Sequence, residues 1–314
     1  MKDQAQVAAA SPALDTLNRA GQGVAGPAFS TLATALPPHL WFGVSAVFHY
    51  LGPAFAVLLF AQVGVLGMAW LRIATAALVF APLTRPWRVF ARADRPTRLL
   101  LGAFGACLAV MNCSFYLALD RLPISLVAAI EFVGTIGVAL VGLRSPRNLA
   151  ALAIAVTGTL LLIDVKWSSD PVGLFWAFLN GALFVGYIVL GHRVAASGAD
   201  AGIAGLGAAM AIAFLVVLPV GFTQATPAFW APSLLIAAIG VGICSSVIPY
   251  ICDQLAMARL PRASFALMLS LLPLDADRHH RAAAGSEPWR LPRHRPGGGR
   301  RRLAQAGAGM IHQR

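Results

Sequence analysis

Glu131 stands in the middle of an apolar stretch, with Ala128, Ala129, Ile130, Phe132 and Val133 beside it. An acid in such a run, set in lipid, costs several kcal/mol and is tolerated where it faces a bundle interior, a partner or a water-filled path. Two chemistries suit it: carrying a proton, or holding a substrate amine. The competing role is a structural acid bonded to a neighbouring helix. At helical spacing Val127, Glu131 and Thr135 share one face.

Further polar residues lie in other apolar runs. Asn112 and Tyr116 are spaced i, i+4, and so are Tyr250 and Gln254, with Ser246 and Asp253 near the latter pair. These are candidates for lining a cavity, or for hydrogen bonds between helices. Asp253 and Gln254 also fit the wet end of a span. Asn180 and Tyr187, seven apart, share a face. His49 suits a substrate carboxylate or a proton relay, and equally a packed imidazole. Arg72 reads as a snorkelling or structural cation. The four cysteines, Cys107, Cys113, Cys244 and Cys252, lack the clustered spacing of a metal site and read as packing thiols. No metal and no cofactor is expected.

The elements that carry these residues are membrane helices. The chain is 58% hydrophobic and 11% charged, with mean hydropathy +0.74. Soluble domains carry about 25% charged residues. The apolar runs are long and lack strand alternation, so the fold class is an all-α polytopic membrane protein. Spans are expected at about 40–60, 64–83, 99–119, 123–142, 148–163, 171–191, 201–221 and 233–254, with a ninth beginning near 262. An uncharged outer loop is expected over 222–232, and residues 1–38 read as a disordered cytoplasmic leader. Arg85, Arg88, Arg92, Arg95 and Arg98 put the 84–98 loop in the cytoplasm. The net charge of +12 therefore points to cytoplasmic loops and a basic tail; no nucleic-acid partner is expected.

A short internal repeat orders the spans. LALDRLP at 117–123 returns as LAMARLP at 255–261, an offset of 138 that also pairs Gly102 with Gly240. The first copy lies between spans 3 and 4, the second between spans 8 and 9. Five spans per half invert the second half relative to the first, a transporter architecture with its site near the midplane. The expected domains are a first five-helix repeat over 39–164 and an incomplete second repeat over 165–273. Residues 274–314 hold nine arginines against three acids and cannot cross lipid. That composition suggests a frameshifted tail which truncates the second repeat near Pro273.

The paired Leu-Ala-x-x-Arg-Leu-Pro, the Trp-Leu-Arg-Ile of 70–73 followed by Arg-Pro-Trp-Arg, and the Ile-Glu-Phe-x-Gly of 130–134 resemble the EamA family of the drug/metabolite transporter superfamily. The similarity is greatest to the bacterial threonine/homoserine exporter group. Thr135 departs from the family pattern, which has proline there. The resemblance implies ten helices in two inverted repeats, a bacterial inner-membrane location and export of small amino acids or related metabolites. Its partners would be a small-molecule substrate, the bilayer and, in a chain lacking helices, a second copy as homodimer. Two alternatives stand: a truncated, non-transporting remnant, and an integral-membrane enzyme. The enzyme would need a His/Asp cluster or a nucleophile beside a base, and neither is evident in the sequence. Nor does any stretch resemble a Walker phosphate loop.

Overall fold

The computed structural model describes residues 28–142, 170–261 and 264–265. Span 5, nearly all of span 9 with its expected break near Pro273, and the 274–314 tail lie outside the described residues, as does the unit Arg278–Arg314. Every regular element among the described residues is a helix: α1 (Ala28–Ala35), α2 (Pro38–Val63), α3 (Val65–Thr84), α4 (Pro86–Arg92), α5 (Arg95–Leu119), α6 (Ile124–Gly142), α7 (Pro171–Ala195), α8 (Ala199–Trp230) and α9 (Pro232–Met257). Six of them, α2, α3, α5, α7, α8 and α9, are long and apolar enough to cross a membrane. The protein is an all-helical, multi-pass membrane protein. Large apolar side chains such as Leu58, Leu78, Leu215 and Ile236 point outward, as lipid allows and water would not.

Prolines and acids set the helix starts. Pro96 sits in the first turn of α5, and Asp94 caps that helix by accepting from Thr97 N at 3.1 Å. Asp170 does the same for α7 through Val172 N and Gly173 N, with Pro171 at its first position. Because it accepts from Gly173 N–H, and also from Arg121 and Val172 N–H, its carboxyl titrates below the ordinary range. α3 is started from a distance. Gly64, at φ +67°, has no side chain to cap with. Instead, Gln224 Oε1 on α8 accepts from Leu66 N at 3.2 Å and from Gly67 N at 3.3 Å.

That contact explains one departure from the sequence reading. Residues 222–230, expected as a loop, continue α8, because Gln224 holds this extension against the start of α3. The chain turns only at Ala231, before Pro232. A second departure concerns the leader, whose described part holds α1. Eight residues do not sustain a helix alone. Here Asp200 Oδ1 accepts from Phe29 N and Ser30 N at 3.1 Å each, while Arg259 Nη1 donates to Ala33 O and Leu36 O at 2.6 and 2.9 Å. The acid thus meets the positive end of the helix and the arginine its negative end. A third concerns the arginine-rich 84–98 loop, which folds in part as α4, with Val89 buried.

The bundle has two kinds of close packing. α3 and α8 lie along one another, where Gly67 and Gly221 bring the backbones together: a Cβ on Gly221 would stand 2.5 Å from Leu66 O. Around this pair, α7 packs on α5 while α2 packs on α9. α6 rests on α7 through Gly134 and Gly181. Without water to drive apolar surfaces together, such small-residue contacts carry helix association in lipid.

Candidate functional site

Six helices bring polar groups to one cavity of about 20 Å³, room for about one water molecule. Its lining comes from α2 (His49, Pro53), α3 (Arg72), α5 (Met111, Asn112, Phe115), α6 (Glu131), α7 (Asn180) and α9 (Tyr250). Five of the eight candidates read from the sequence meet here: Glu131, Asn112, Asn180, Tyr250 and His49. Asn112 Nδ2 donates to Tyr250 Oη at 3.1 Å and to Leu108 O at 2.7 Å. Asn180 is buried with its side chain beside the Glu131 carboxyl, and its Nδ2 has no partner within 3.5 Å among the described residues. His49 lies edge-on to Phe184 and Tyr250, 6.1 and 6.3 Å between ring centroids.

Arg72 is the residue whose position the sequence reading misjudged. It does not snorkel: it is 3% exposed and lines the cavity. It is the eighth residue of the twenty-residue α3, too far from either end for its head to reach water. Instead, Nε donates to Ser246 Oγ and Nη2 to Ser245 O, both at 2.6 Å. Its Cζ lies 5.5 Å from the Tyr116 ring centroid and 6.0 Å from that of Tyr250. Both distances are within cation–π range. The free carbonyl at Ser245 has a local cause. Pro249, four residues on, has no N–H to give it, and α9 is wound as a π turn over Ile243–Val247. Pro249 and this turn together offer an acceptor that a regular helix would have used. α2 reaches this turn because residue 52 is glycine: a Cβ there would stand 2.7 Å from Ser245 Cα.

The remaining three candidates lie elsewhere. Tyr116 flanks the cavity through its ring under Arg72 and packs against Phe60 at 5.4 Å. Tyr187 belongs to a neighbouring cluster, where its hydroxyl donates to Asp253 Oδ2 at 2.8 Å. Gln254 is buried against α7 and α8 near Gly191 and Gly202. It stands one turn beyond Tyr250, about 6 Å further along the helix. Asp253 does not sit at a wet end; it is 1% exposed and also accepts from Ser45 Oγ at 2.5 Å. The signal for Arg72 and Asp253 was in the sequence. Both are ionisable residues inside apolar helices, the same mark that singled out Glu131.

Among the described residues, neither Arg72 nor Glu131 forms an ion pair within 4.0 Å. The cavity therefore carries a cation and an acid on different helices, with amide and phenol groups lining it beside them. The four cysteines are free thiols, and Cys107 Sγ donates to Leu183 O at 3.2 Å.

No family model matches the sequence. Among curated proteins, the chain is similar to the threonine/homoserine exporter RhtA of Salmonella typhimurium (strain LT2) and of Escherichia coli (strain K12). Each is 33% identical over 225 residues, which cover 71% of this chain and 75% of the relative. A protein of known crystal structure matches with a TM-score of 0.52 at 17% identity, over 79% of this chain and 88% of the other. That second likeness is one of fold.

Proposed function

We propose, because this chain belongs to the EamA family of the drug/metabolite transporter superfamily together with the RhtA exporters, that it is a secondary transporter of the bacterial inner membrane. Its cargo would be small amino acids of the threonine/homoserine kind, or related metabolites, moved outward by alternating access. The observation that carries this reading is the convergence of His49, Arg72, Asn112, Glu131, Asn180 and Tyr250, from six helices, on one buried cavity. A cavity of about 20 Å³ is too small for an amino acid. The helices must therefore part to load and release cargo.

Two inverted five-helix repeats fit the packing. If spans 1, 2 and 3 correspond to spans 6, 7 and 8, a two-fold operation exchanges α2 with α7, α3 with α8 and α5 with α9. The packing of α7 on α5 then becomes that of α2 on α9, and the α3–α8 pair maps onto itself. Asn112 and Tyr250 are separated by the repeat offset of 138 and hydrogen-bond to one another. Equivalent positions that touch lie at the axis relating them, and both of these line the cavity. A midplane site between repeats is the arrangement expected of such a transporter.

Export of labelled threonine and homoserine from cells expressing the chain tests this reading, alongside a version in which the reading frame after codon 273 is restored. Export by the chain itself supports it, and export by neither defeats it. The non-transporting alternative rests on the composition of 274–314 and would be selected by export from the restored chain alone. Glu131 is the residue we assign to the substrate amine or a coupled proton. Glu131→Gln should lower export at least tenfold and flatten its pH dependence; unchanged rates would make the acid structural.

A further inference from the structure

We propose that the cavity is a zwitterion site in which Arg72 receives the carboxylate, and Glu131 the ammonium, of a single α-amino acid. This rests on the exporter reading and adds to it the orientation of the substrate and the chemistry that selects it.

Four observations carry the assignment. Arg72 and Glu131 line one cavity, yet make no ion pair with each other or with another described residue. Opposite charges left apart in a low-dielectric interior are costly, and a ligand neutral overall and charged at both ends relieves both at once where a proton would relieve the acid alone. Next, the guanidinium is held in place: Ser246 Oγ takes Nε, Ser245 O takes Nη2, and the Tyr116 and Tyr250 rings flank it. Those contacts use two of its five N–H groups, and the Tyr116 hydroxyl stands near as a further partner, so that donors remain for a carboxylate to engage. Third, its seat is specially made, by Pro249 freeing the Ser245 carbonyl and by Gly52 admitting α2 beside the π turn. Finally, Asn180 is 1% exposed and lines the same cavity with its side chain beside the Glu131 carboxyl, while its Nδ2 has no partner within 3.5 Å among the described residues. It is a buried amide that helps to place Glu131 at the cavity wall.

Such a site discriminates by charge at both ends. A molecule lacking the carboxylate leaves Arg72 uncompensated, and one lacking the amine leaves Glu131 so. The site should therefore reject amines, esters and N-acylated amino acids, and tolerate changes in a small side chain.

Isothermal titration of the purified full chain in lipid nanodiscs would test this, with L-threonine, L-threonine methyl ester, N-acetyl-L-threonine and 1-amino-2-propanol as ligands. Threonine should bind, and each analogue missing one charge should bind at least tenfold more weakly, since it forfeits the charge-assisted hydrogen bonds at one end. Arg72→Gln should abolish the preference over the methyl ester and keep that over N-acetylthreonine; Glu131→Gln should do the reverse. Equal binding of threonine and its methyl ester by the unmodified chain would overturn the zwitterion site and leave the exporter reading standing. Absence of all binding, together with absence of threonine and homoserine export, would overturn both. The ligand series on the unmodified chain decides the matter even if a variant fails to fold.

Discussion

Glu131 and Asp253 are both acids buried in apolar helices, 8% and 1% exposed, and they are held in opposite ways. Asp253 has both oxygens engaged, one by Ser45 and one by Tyr187. Ser45 Oγ also lies 3.2 Å from Pro249 O. An ionised Asp253 accepts from Ser45; a protonated one donates to it, and Ser45 turns its own proton to the Pro249 carbonyl. The cluster is complete in either state and fastens α2, α7 and α9 together. Glu131 instead has the Asn180 side chain beside it and faces a cavity whose cation stands on another helix. Burial of an acid in a membrane helix is thus not a functional mark by itself. What separates the two is whether the protein supplies all of the partners.

The sharpest way to break this comparison is to remove each acid. Asp253→Ala should lower stability by about 3 kcal/mol, because it leaves the buried Tyr187 hydroxyl without its acceptor, Ser45 with the Pro249 carbonyl alone, and a void where the carboxyl stood. Glu131→Gln should change it by less than about 1 kcal/mol while abolishing most export. Thermal unfolding in detergent reads both, and equal losses would erase the distinction. Gly52→Ala comes next. Its methyl would meet the Ser245 backbone, and overpacking of this kind costs about 1–3 kcal/mol. Export should fall with it, because the turn that seats Arg72 must shift. Tyr187→Phe should cost about 1 kcal/mol, since Ser45 still serves Asp253; an unaltered threonine affinity would mark this cluster as separate from the cavity. The smallest effect lies outside the membrane. The folded-state titration of Asp170 is depressed by Gly173 N–H and Arg121, so its cap on α7 persists above the ordinary aspartate value of 3.8 and is lost only as pH falls below it. A pH titration of α7 amide exchange should show protection retained at pH 4 and absent in Asp170→Ala.

The helices that position the site were legible because apolar length and proline or acid starts mark them: α2, α3, α5, α6, α7 and α9 each lie within a few residues of an expected span. The offset of 138 pointed to Asn112 and Tyr250 as counterparts, and they meet. Legibility stopped where depth mattered. Gln254 and Tyr187 share helix faces with cavity residues, but they stand about 6 and 10 Å further along their helices, beyond the cavity. The extension of α8 over 222–230 depends on Gln224 reaching α3, and α1 depends on Asp200 and Arg259. Neither contact between distant residues leaves a local pattern in the sequence.

The π turn at Ile243–Val247 has one more consequence, for the rotational register of the whole end of α9. Such a turn takes up one residue more than an α-helical one. Were the same residues wound as a regular α-helix, everything after them would swing by about 100°. Tyr250 would leave Asn112, Asp253 would leave Ser45 and Tyr187, and the carbonyl beneath Arg72 would be drawn away together. This short stretch of irregular winding therefore acts as the setting screw for both buried acids' surroundings.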